Sequence, residues 1–458
     1  MNKEVKHIYM IGIGGISMSG IAEILKTWGY EVSGSDRIES NQTKYLEEHG
    51  INVYIGQKKE NITEDIDLVV YTAAINADNP ELVEATRLKI PLMERGVFLG
   101  EITKLFPKTI GIAGTHGKTT TTSMVSSAFL AANLDPTIQV GAVLDLLNAN
   151  YRVGKSPYLI IEACEYKDSF LNFHQESAIV LNIDNDHLDY FKNMDNMMRS
   201  YQEYVSKLSE NGVLVLNIED ERCKNLANYT KATVVTVGKS NALWTYDNVT
   251  YNEEGYPSFD VYYQDKFQKR FSLQVTGEYN ILNSLTCIAL CSFYGIALDI
   301  IQKGLSSFSG ASRRMEYKGL FEDAKVYDDY AHHPTEVKKT AEGILKKKFH
   351  ESWVVFECHS YSRFVTYLKE FAESLSLFDH IILADIYAAR ETNTIDANEE
   401  DLVGLLKENQ KDAIHISSYE KIKDYLKERV KKEDVIITMG AGNITKLAEI
   451  LVKEKEQR

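Results

Sequence analysis

The sequence predicts an α/β protein with three domains, because of its length, its alternation of strands and helices, and its glycine-rich turns after apolar strands. Its 458 residues correspond to roughly three domains at about 150 residues each. Hydrophobic residues make up 44% of the chain and charged residues 26%, which is typical of globular proteins and argues against a disordered or fibrous chain. Short apolar runs alternate with amphipathic stretches, as expected for parallel sheets with helices on both faces.

The apolar runs assign the main elements of each domain. For the first domain, residues 1–107, they predict strands over 7–12, 30–36 and 67–72 and helices over 17–28, 43–49 and 97–105. For the second, residues 108–311, they predict strands over 109–113, 158–162, 178–182 and 212–217, antiparallel strands within 243–275, and helices over 119–133, 280–294 and 299–308. For the third, residues 312–458, they predict strands over 325–329, 353–356, 380–384 and 434–438.

The composition argues against several classes of function. The chain has 51 basic and 66 acidic residues, a net charge of −15, whereas nucleic-acid and anionic-membrane binding need a cationic surface. No apolar run reaches the about 20 residues that cross a bilayer, and the N-terminus has no signal-peptide pattern. The five cysteines form no C-x-x-C pair, which favours a reduced, cytoplasmic protein.

The strongest local motif predicts a phosphate-binding loop between an apolar strand and a helix. At such a position backbone amides converge on phosphate oxygens, a lysine neutralises charge and a threonine hydroxyl can ligate Mg²⁺. The general pattern has glycine where this chain has Ile112, so the loop is a shorter variant. The alternative is a glycine-rich turn with an ordinary surface lysine. The loop contains Gly114, Thr115, His116, Gly117, Lys118, Thr119 and Thr120.

A second glycine-rich turn follows the first predicted strand. It contains Gly12, Gly14 and Gly15, but the sixth position of the dinucleotide fingerprint is Ser17 instead of glycine. Asp36, at the end of the second predicted strand, lies near where an acid that binds ribose is expected. The turn either binds a nucleotide diphosphate or serves packing alone.

Acidic and histidine residues follow two strands of the central domain. Glu162 begins the sequence Glu-Ala-Cys-Glu165, and His187 lies in Asn185-Asp-His-Leu-Asp189. Since the carboxyl ends of parallel strands share one edge with the phosphate loop, these side chains could complete a Mg²⁺ site. Imidazole is an uncommon Mg²⁺ ligand, and a surface acid with a neighbouring histidine is the alternative.

The third domain opens with Arg313 and Arg314, which could stabilise a phosphoryl group in transfer or form a solvated charge cluster.

His332 and His333 precede Pro334, which is typical of a helix start, and their spacing is not that of a zinc site.

Taken in order, these motifs resemble the Mur ligases, ATP-dependent amino-acid ligases of peptidoglycan synthesis. The resemblance implies a Rossmann-like N-terminal domain, a central P-loop-type ATPase domain with a mostly parallel sheet, and a Rossmann-like C-terminal domain. Nearly the whole chain is covered, through Gly114–Thr122, Glu162–Glu165, Asn185–Asp189, Gly277–Asn283, Ser312–Arg314, Asp328–Glu336 and Met439–Ile444.

Within that family the chain is most similar to the ligases that add L-alanine to UDP-N-acetylmuramate. The marks are His116 in the loop, the Gly-Ile-Gly-Gly at residue 12, the Asp-Asp-Tyr-x-His-His-Pro segment and the sequence Ala384–Arg390. Other members carry a carbamylated lysine downstream of the Asp-His pair. The corresponding position in this chain falls near Tyr201, and the absence of that lysine agrees with the alanine-adding type.

The resemblance implies a role for each predicted site residue. Gly12, Gly14, Gly15, Ser17 and Asp36 would bind the UDP-sugar, and the loop from Gly114 to Thr120 would bind ATP together with Asn280, Asn283, Arg314 and Asp329. Thr119, Glu162 and His187 would hold Mg²⁺, and the residues named catalytic are Lys118, Glu162, His187 and Arg314.

The implied reaction forms an amide in two stages. ATP phosphorylates the lactyl carboxylate of UDP-N-acetylmuramate, and the amine of L-alanine then displaces phosphate from the acyl phosphate, with domain closure expected to exclude water. Three alternatives are a ligase for a recycled tripeptide, a nicotinamide-dependent oxidoreductase, and an ATP-binding sensor of a cell-wall precursor without catalysis.

Overall fold

A computed structural model of the protein describes residues 5–72, 74–144, 146–147, 149–389 and 391–453, with the side chains of Leu188 and Asp189 excluded. Arg390 and the Asp189 side chain, both part of motifs named above, therefore lie outside the described residues. Three sheets are each accompanied by helices, which confirms the α/β class with three domains. The exact domain boundaries stay a prediction.

The N-terminal sheet has five strands in the order β3-β2-β1-β4-β5, and all neighbours are parallel. Its strands are β1 (His7–Ile11), β2 (Glu31–Asp36), β3 (Asn52–Ile55), β4 (Leu68–Tyr71) and β5 (Leu92–Glu94). The helices are α1 (Ile16–Thr27), α2 (Asn41–Glu48), α3 (Pro80–Arg87) and α4 (Arg95–Thr103), with a 3-10 turn over Lys59–Asn61. Strand β1 is central and buried along its whole length, which explains its unbroken apolar sequence.

The central sheet has ten strands in the order β15-β14-β13-β12-β11-β10-β6-β9-β7-β8, and strands β7 and β8 pair antiparallel. The strands are β6 (Lys108–Ala113), β7 (Thr137–Leu144), β8 (Ala149–Arg152), β9 (Tyr158–Glu162), β10 (Ser177–Val180), β11 (Val213–Asn217), β12 (Thr233–Gly238), β13 (Trp244–Tyr251), β14 (Pro257–Tyr263) and β15 (Lys266–Ser272). The helices are α5 (Lys118–Ala131), α6 (Leu188–Phe191), α7 (Met194–Ser206), α8 (Glu221–Asn225), α9 (Glu278–Phe293) and α10 (Leu298–Ser307), with 3-10 segments over Tyr166–Asn172 and Leu226–Tyr229.

The C-terminal sheet has the order β16-β17-β21-β18-β19-β20, parallel except for the β16–β17 pair. Its strands are β16 (Glu316–Phe321), β17 (Ala324–Asp329), β18 (Ser352–Phe356), β19 (His380–Leu383), β20 (Asp412–His415) and β21 (Val435–Met439). The helices are α11 (Pro334–Ile344), α12 (Tyr361–Thr366), α13 (Leu368–Leu375), α14 (Glu399–Glu408), α15 (Tyr419–Lys427) and α16 (Thr445–Val452). His333 caps α11 and Pro334 is its first residue, so the interpretation of the histidine pair as a helix start is confirmed.

By compactness the chain divides into two units. The first contains the described residues through Asp247 together with Asp260–Lys269 and Leu282–Phe308, and so holds both the N-terminal sheet and most of the central domain. The second contains Asn248–Phe259, Arg270–Ile281 and the described residues from Ser309 onward. Within the described ranges, no helix is both long and apolar enough to cross a bilayer.

Helix α5, which begins at the phosphate loop, packs closely against α10. The contact runs through Gly304 of α10, where an added Cβ would lie 2.6 Å from the Ala128 Cα and 2.8 Å from the Ser127 carbonyl oxygen. Both neighbours are backbone atoms, which cannot move aside like a flexible side chain. The absence of a side chain at position 304 therefore sets the distance between these two helices.

We expect Gly304→Ala to lower the free energy of unfolding by roughly 1–3 kcal/mol, because α10 must move away from α5. Urea denaturation followed by circular dichroism measures the change. The matched control is Gly404→Ala in α14, where an added Cβ meets nothing within 4 Å. There alanine should be neutral or stabilising by up to about 1 kcal/mol, since it favours a helix over glycine. Equal midpoints for the two variants would contradict the close approach of α5 and α10.

Candidate functional site

The phosphate loop lies between β6 and α5, as the sequence predicts. Ile112 belongs to the buried strand β6, so the loop is shorter than the general pattern. Gly114 and Gly117 have φ angles of 138° and 83°, values that favour glycine, and Gly117 is the N-cap of α5. The backbone amides in the first turn of α5 are thereby directed towards the loop, as in other anion-binding helix termini.

Two residues at the end of β10 fix the loop in place. The Asn182 side chain accepts a hydrogen bond of 2.8 Å from the His116 amide and donates one of 3.0 Å to the His116 carbonyl. The Asp184 amide donates to the Thr115 hydroxyl at 2.8 Å, and the Asp184 carboxylate lies 3.1 Å from His116 Nε2. Neither Asn182 nor Asp184 is among the site residues that the sequence predicts. Their position directly after an apolar strand and before the Asn185–Asp189 motif is the signal that could have identified them.

The Lys118 ammonium is folded against the loop and paired with Glu165. Its Nζ donates to the carbonyls of Gly114 at 2.5 Å and Thr115 at 3.0 Å, and to Glu165 Oε2 at 2.9 Å. The Lys118 side chain is 17% exposed and that of Glu165 only 1%. Burial by itself would lower the pKa of Lys118, but the Glu165 carboxylate and further negative groups outweigh it and raise that pKa above its ordinary value. Lys118 is therefore firmly cationic.

Glu162 ends β9 beside the loop strand, where its backbone pairs with Ile112. Its negative charge contributes to the raised pKa of Lys118, so the two groups share one electrostatic environment. Among the described residues, its Oε1 is buried and has no hydrogen-bond partner. Its Oε2 packs against the backbone of Gly141, where an added Cβ would lie 2.6 Å away. A buried carboxylate oxygen without a partner is available to a cation.

His187 lies on the other side of Glu165. Its Nε2 is 3.7 Å from Glu165 Oε1, and its ring centroid is 4.8 Å from that of Tyr166. The backbone of His187 has a φ angle of 55°, which is uncommon for a residue other than glycine. Lys118 and His187, which the sequence predicts to act together with Glu162, both contact Glu165, and the charge of Glu162 acts on Lys118.

The donor atoms near the loop suit a hard divalent cation. Thr119 lies in the first turn of α5 and is 7% exposed, and Glu162 supplies the unpartnered carboxylate oxygen. Mg²⁺ prefers such oxygen ligands and usually keeps several waters, so the side chains of Thr119 and Glu162 are chemically suited to it. His187 would add a nitrogen ligand, which is unusual for Mg²⁺.

The N-terminal glycine turn is held by Asp36. The Gly14 amide donates to Asp36 Oδ2 at 3.0 Å, and the Gly12 amide donates to the Ser35 carbonyl at 2.8 Å. An added Cβ at Gly14 would lie 2.9 Å from Asp36 Oδ2. Asp36 therefore shapes the turn itself, beside the N-terminus of α1.

Ser17, in the first turn of α1, accepts hydrogen bonds of 3.1 Å from Arg95 and from Gln139 of the central sheet. These bonds link the turn to both domains of the first unit. The assignment of the turn to the UDP-sugar stays a prediction.

The two asparagines of α9 have different surroundings. Asn283 belongs to the first unit and lies beside the loop, so that an added Cβ at Gly117 would be 3.1 Å from its Oδ1. Asn280 belongs to the second unit and donates to the Thr276 carbonyl at 2.7 Å. Both side chains are buried.

Arg314 and Asp329 both belong to the second unit. The Arg314 guanidinium lies over the Tyr330 ring at 5.3 Å, and Asp329 accepts backbone hydrogen bonds from Met315 and Ala331. Burial raises the pKa of Asp329 to about 6, against the opposing effect of Arg314. Arg313 pairs with Asp328 and donates to the Gly440 carbonyl, so it is not part of a solvated cluster. The action of Arg314 and Asp329 on ATP stays a prediction.

Family models match all three parts of the chain. The Mur ligase family catalytic domain matches residues 7–107, the Mur ligase middle domain residues 112–291, and the Mur ligase glutamate ligase domain residues 313–442. The UDP-N-acetylmuramate–L-alanine ligases of Acetivibrio thermocellus and Alkaliphilus metalliredigens are each 44% identical over 453 residues. These alignments cover 98% and 99% of this chain and 96% and 98% of the relatives.

Solved structures show the same similarity. The UDP-N-acetylmuramate–alanine ligase of Thermotoga maritima has a TM-score of 0.85 at 27% identity, over 98% of this chain and 99% of that one. A murein peptide ligase of Psychrobacter arcticus has a TM-score of 0.72 at 23% identity, over 97% of this chain and 98% of that one, a similarity of fold alone. The phosphate loop and the residues around it lie within the matched middle domain. The chain therefore belongs to the Mur ligase family.

Proposed function

We propose that this protein is an ATP-dependent ligase that joins L-alanine to the lactyl carboxylate of UDP-N-acetylmuramate through an acyl phosphate. The cluster of Lys118, Glu162, Glu165 and His187 supports this proposal, because it places a cation, two carboxylates and an imidazole at the phosphate loop. Support for the substrates comes from the relatives named UDP-N-acetylmuramate–L-alanine ligase, which align over nearly the whole chain at 42–44% identity. The reaction is an early step in making peptidoglycan precursors for the cell wall, and we place it in the cytoplasm.

ATP is bound by the loop of the central domain. The amides between Gly114 and Thr120 surround the phosphates, and the Lys118 ammonium neutralises the β and γ groups. Asn283, beside Gly117, and Asn280 approach the adenine. Arg314 and Asp329, which the resemblance also assigns to ATP, are further residues that we propose for nucleotide binding.

The UDP-sugar is bound at the N-terminal glycine turn. The diphosphate lies at the N-terminus of α1, where Gly15 is the N-cap and no side chain caps the helix. Gly12 and Gly14 allow close approach of the backbone, and Ser17 and Asp36 hold the turn that receives the ligand.

The chemistry requires activation of a poor electrophile. A carboxylate resists attack by an amine, so its oxygen first takes the γ-phosphoryl group of ATP and becomes a leaving group. Two anions must meet in this step, which demands concentrated positive charge from Lys118 and Arg314. The alanine amine then attacks the acyl carbon and phosphate departs.

Thr119, Glu162 and His187 would hold Mg²⁺. When bound there, the ion supplies positive charge against the triphosphate, in addition to that of Lys118. The unpartnered Oε1 of Glu162 is the observation that supports this assignment.

Among the alternatives, an oxidoreductase gives no role to the phosphate loop and is not supported by membership of a ligase family. A ligase for a recycled tripeptide shares the fold, as the Psychrobacter arcticus similarity shows, but the relatives described above with high identity are alanine ligases. The presence of the metal-type residues Glu162 and His187 together with Arg314 counts against a sensor without catalysis.

The direct test is phosphate release by the purified protein with ATP, Mg²⁺ and UDP-N-acetylmuramate, comparing L-alanine, glycine, L-serine and a tripeptide. We expect L-alanine to give the highest kcat/KM, with the amide product verified by mass spectrometry. Faster reaction with the tripeptide would contradict the proposed amino-acid substrate, and phosphate release without any amide product would contradict ligation.

Replacing Lys118 with alanine should reduce phosphate release about 100-fold or more, because a positioned cation at the transferring group is lost. Binding of the UDP-sugar, measured by calorimetry, should be largely unchanged. Lys155→Ala, at an exposed lysine of the same domain, is the control and should keep full activity. Normal activity of the Lys118→Ala protein would rule out the loop as the ATP site.

Replacing His187 with alanine should raise the Mg²⁺ concentration needed for half-maximal activity by about tenfold or more. The measurement is a metal titration of the reaction at saturating ATP. His174→Ala, at an exposed histidine of the same domain, serves as the control. An unchanged titration in the His187→Ala protein would show that His187 is not a metal ligand.

A further inference from the structure

The Lys118 ammonium is fully engaged by three acceptors, of which Glu165 is the charged one. The other two are carbonyls of the loop itself, at Gly114 and Thr115. Both oxygens of Glu165 lie within hydrogen-bond distance of Nζ, at 2.9 and 3.2 Å. Glu165 thus holds the end of the lysine side chain at one defined place in the loop.

The pair is mutually dependent because both partners are withdrawn from water. Glu165 is 1% exposed, and a buried carboxylate without a cation is strongly unfavourable. His187, whose Nε2 is 3.7 Å from Glu165 Oε1, is a second neighbour of this carboxylate. The Glu165 carboxylate is therefore contacted by both Lys118 and His187.

The segment after Glu165 is held in an unusual backbone conformation. Lys167 and Asp168 both have left-handed φ angles, of 53° and 54°. Asp168 accepts hydrogen bonds from the Tyr190 hydroxyl at 2.5 Å and from the Ser200 hydroxyl. Strain of this kind persists only where the surroundings fix it, and it clusters at functional sites. The Asp168 amide also donates to the Glu165 carbonyl at 2.9 Å, so these contacts fix the turn that directly follows Glu165.

We propose that Glu165 is a positioning residue for phosphoryl transfer: it holds the Lys118 ammonium in the place where that cation meets the γ-phosphoryl group in the transition state. This inference rests on the proposed function of the loop. Glu165 does not help to bind ATP, because a carboxylate near the triphosphate repels it. Glu165 therefore increases kcat without increasing the affinity for ATP.

The main experiment compares Glu165→Gln with the unchanged protein in steady-state kinetics. We expect kcat to fall about 100-fold, as for displaced catalytic groups, while KM for ATP stays near its original value or decreases. Glu165→Asp, which retains the charge on a shorter side chain, should recover part of kcat. Glu176→Gln is the matched control: Glu176 lies just before β10, accepts a hydrogen bond from Tyr294, and should tolerate the same chemical change.

A double-mutant cycle tests whether Glu165 acts through Lys118. Phosphate release in a single turnover should be as slow in the Lys118→Met, Glu165→Gln double variant as in Lys118→Met alone. Additive losses, or a raised KM with unchanged kcat, would overturn the positioning role. A kcat of Glu165→Asp that is no higher than that of Glu165→Gln would also overturn it.

The two proposals can fail separately. If Lys118→Met leaves nucleotide binding and phosphate release intact, the loop is not the ATP site and the proposed function fails. If Lys118→Met abolishes phosphate release while Glu165→Gln has kinetics equal to those of Glu176→Gln, only the role of Glu165 fails.

Discussion

The burial of one ammonium group governs the arrangement of the candidate site. Lys118 lies at the start of a helix whose amides are already positive, and it is largely withdrawn from water. Such a cation persists only with compensating acceptors, which Gly114, Thr115 and Glu165 supply. The strand ends, the loop and the strained segment after β9 all serve to bring those acceptors to one point.

The parallel sheet makes this convergence possible. Strands β6, β9 and β10 are neighbours and parallel, so their carboxyl ends deliver the loop, Glu162 and Asn182 to the same edge. Helix α5 leaves that edge with Gly117 as its N-cap and is fixed behind the sheet by close contact with α10 through Gly304. Helix α5 therefore connects the packing at Gly304 to the position of the phosphate loop.

Periodicity predicted the apolar central strands well and missed several shorter or amphipathic elements. Strand β9 has the predicted bounds, and the central strands and the helix after the loop differ from prediction by one or two residues. Strands β3 and β5 escaped prediction because they are short, lie at sheet edges and are mostly exposed or half-buried. Helix α7 was missed although Met197, Tyr201, Tyr204 and Val205 repeat at helical spacing on its buried face.

The site was predictable where a motif dictates a local shape and unpredictable where it depends on contacts across strands. Glycines before a lysine at a strand-to-helix junction predict the loop. Which carboxylate of Glu162-Ala-Cys-Glu165 faces Lys118 depends on the turn after β9, and its left-handed residues carry no sequence signal, since Lys167 and Asp168 are not glycines. Asn182 is similar: its pairing with both polar groups of the His116 backbone follows from strand adjacency alone.

Charge balance explains why the loop cannot act by itself. Around Lys118 the first unit places two carboxylates, Glu162 and Glu165, so this cluster carries no surplus of positive charge before any substrate enters. A triphosphate and a carboxylate substrate add further negative charge, in a protein whose net charge is already −15. Under the proposed function, reaction between them requires additional positive charge at the transferring group, and we propose that Mg²⁺ on the unpartnered oxygen of Glu162 supplies part of it. The same carboxylates that keep Lys118 cationic thus explain why the proposed reaction needs a cation in addition to Lys118.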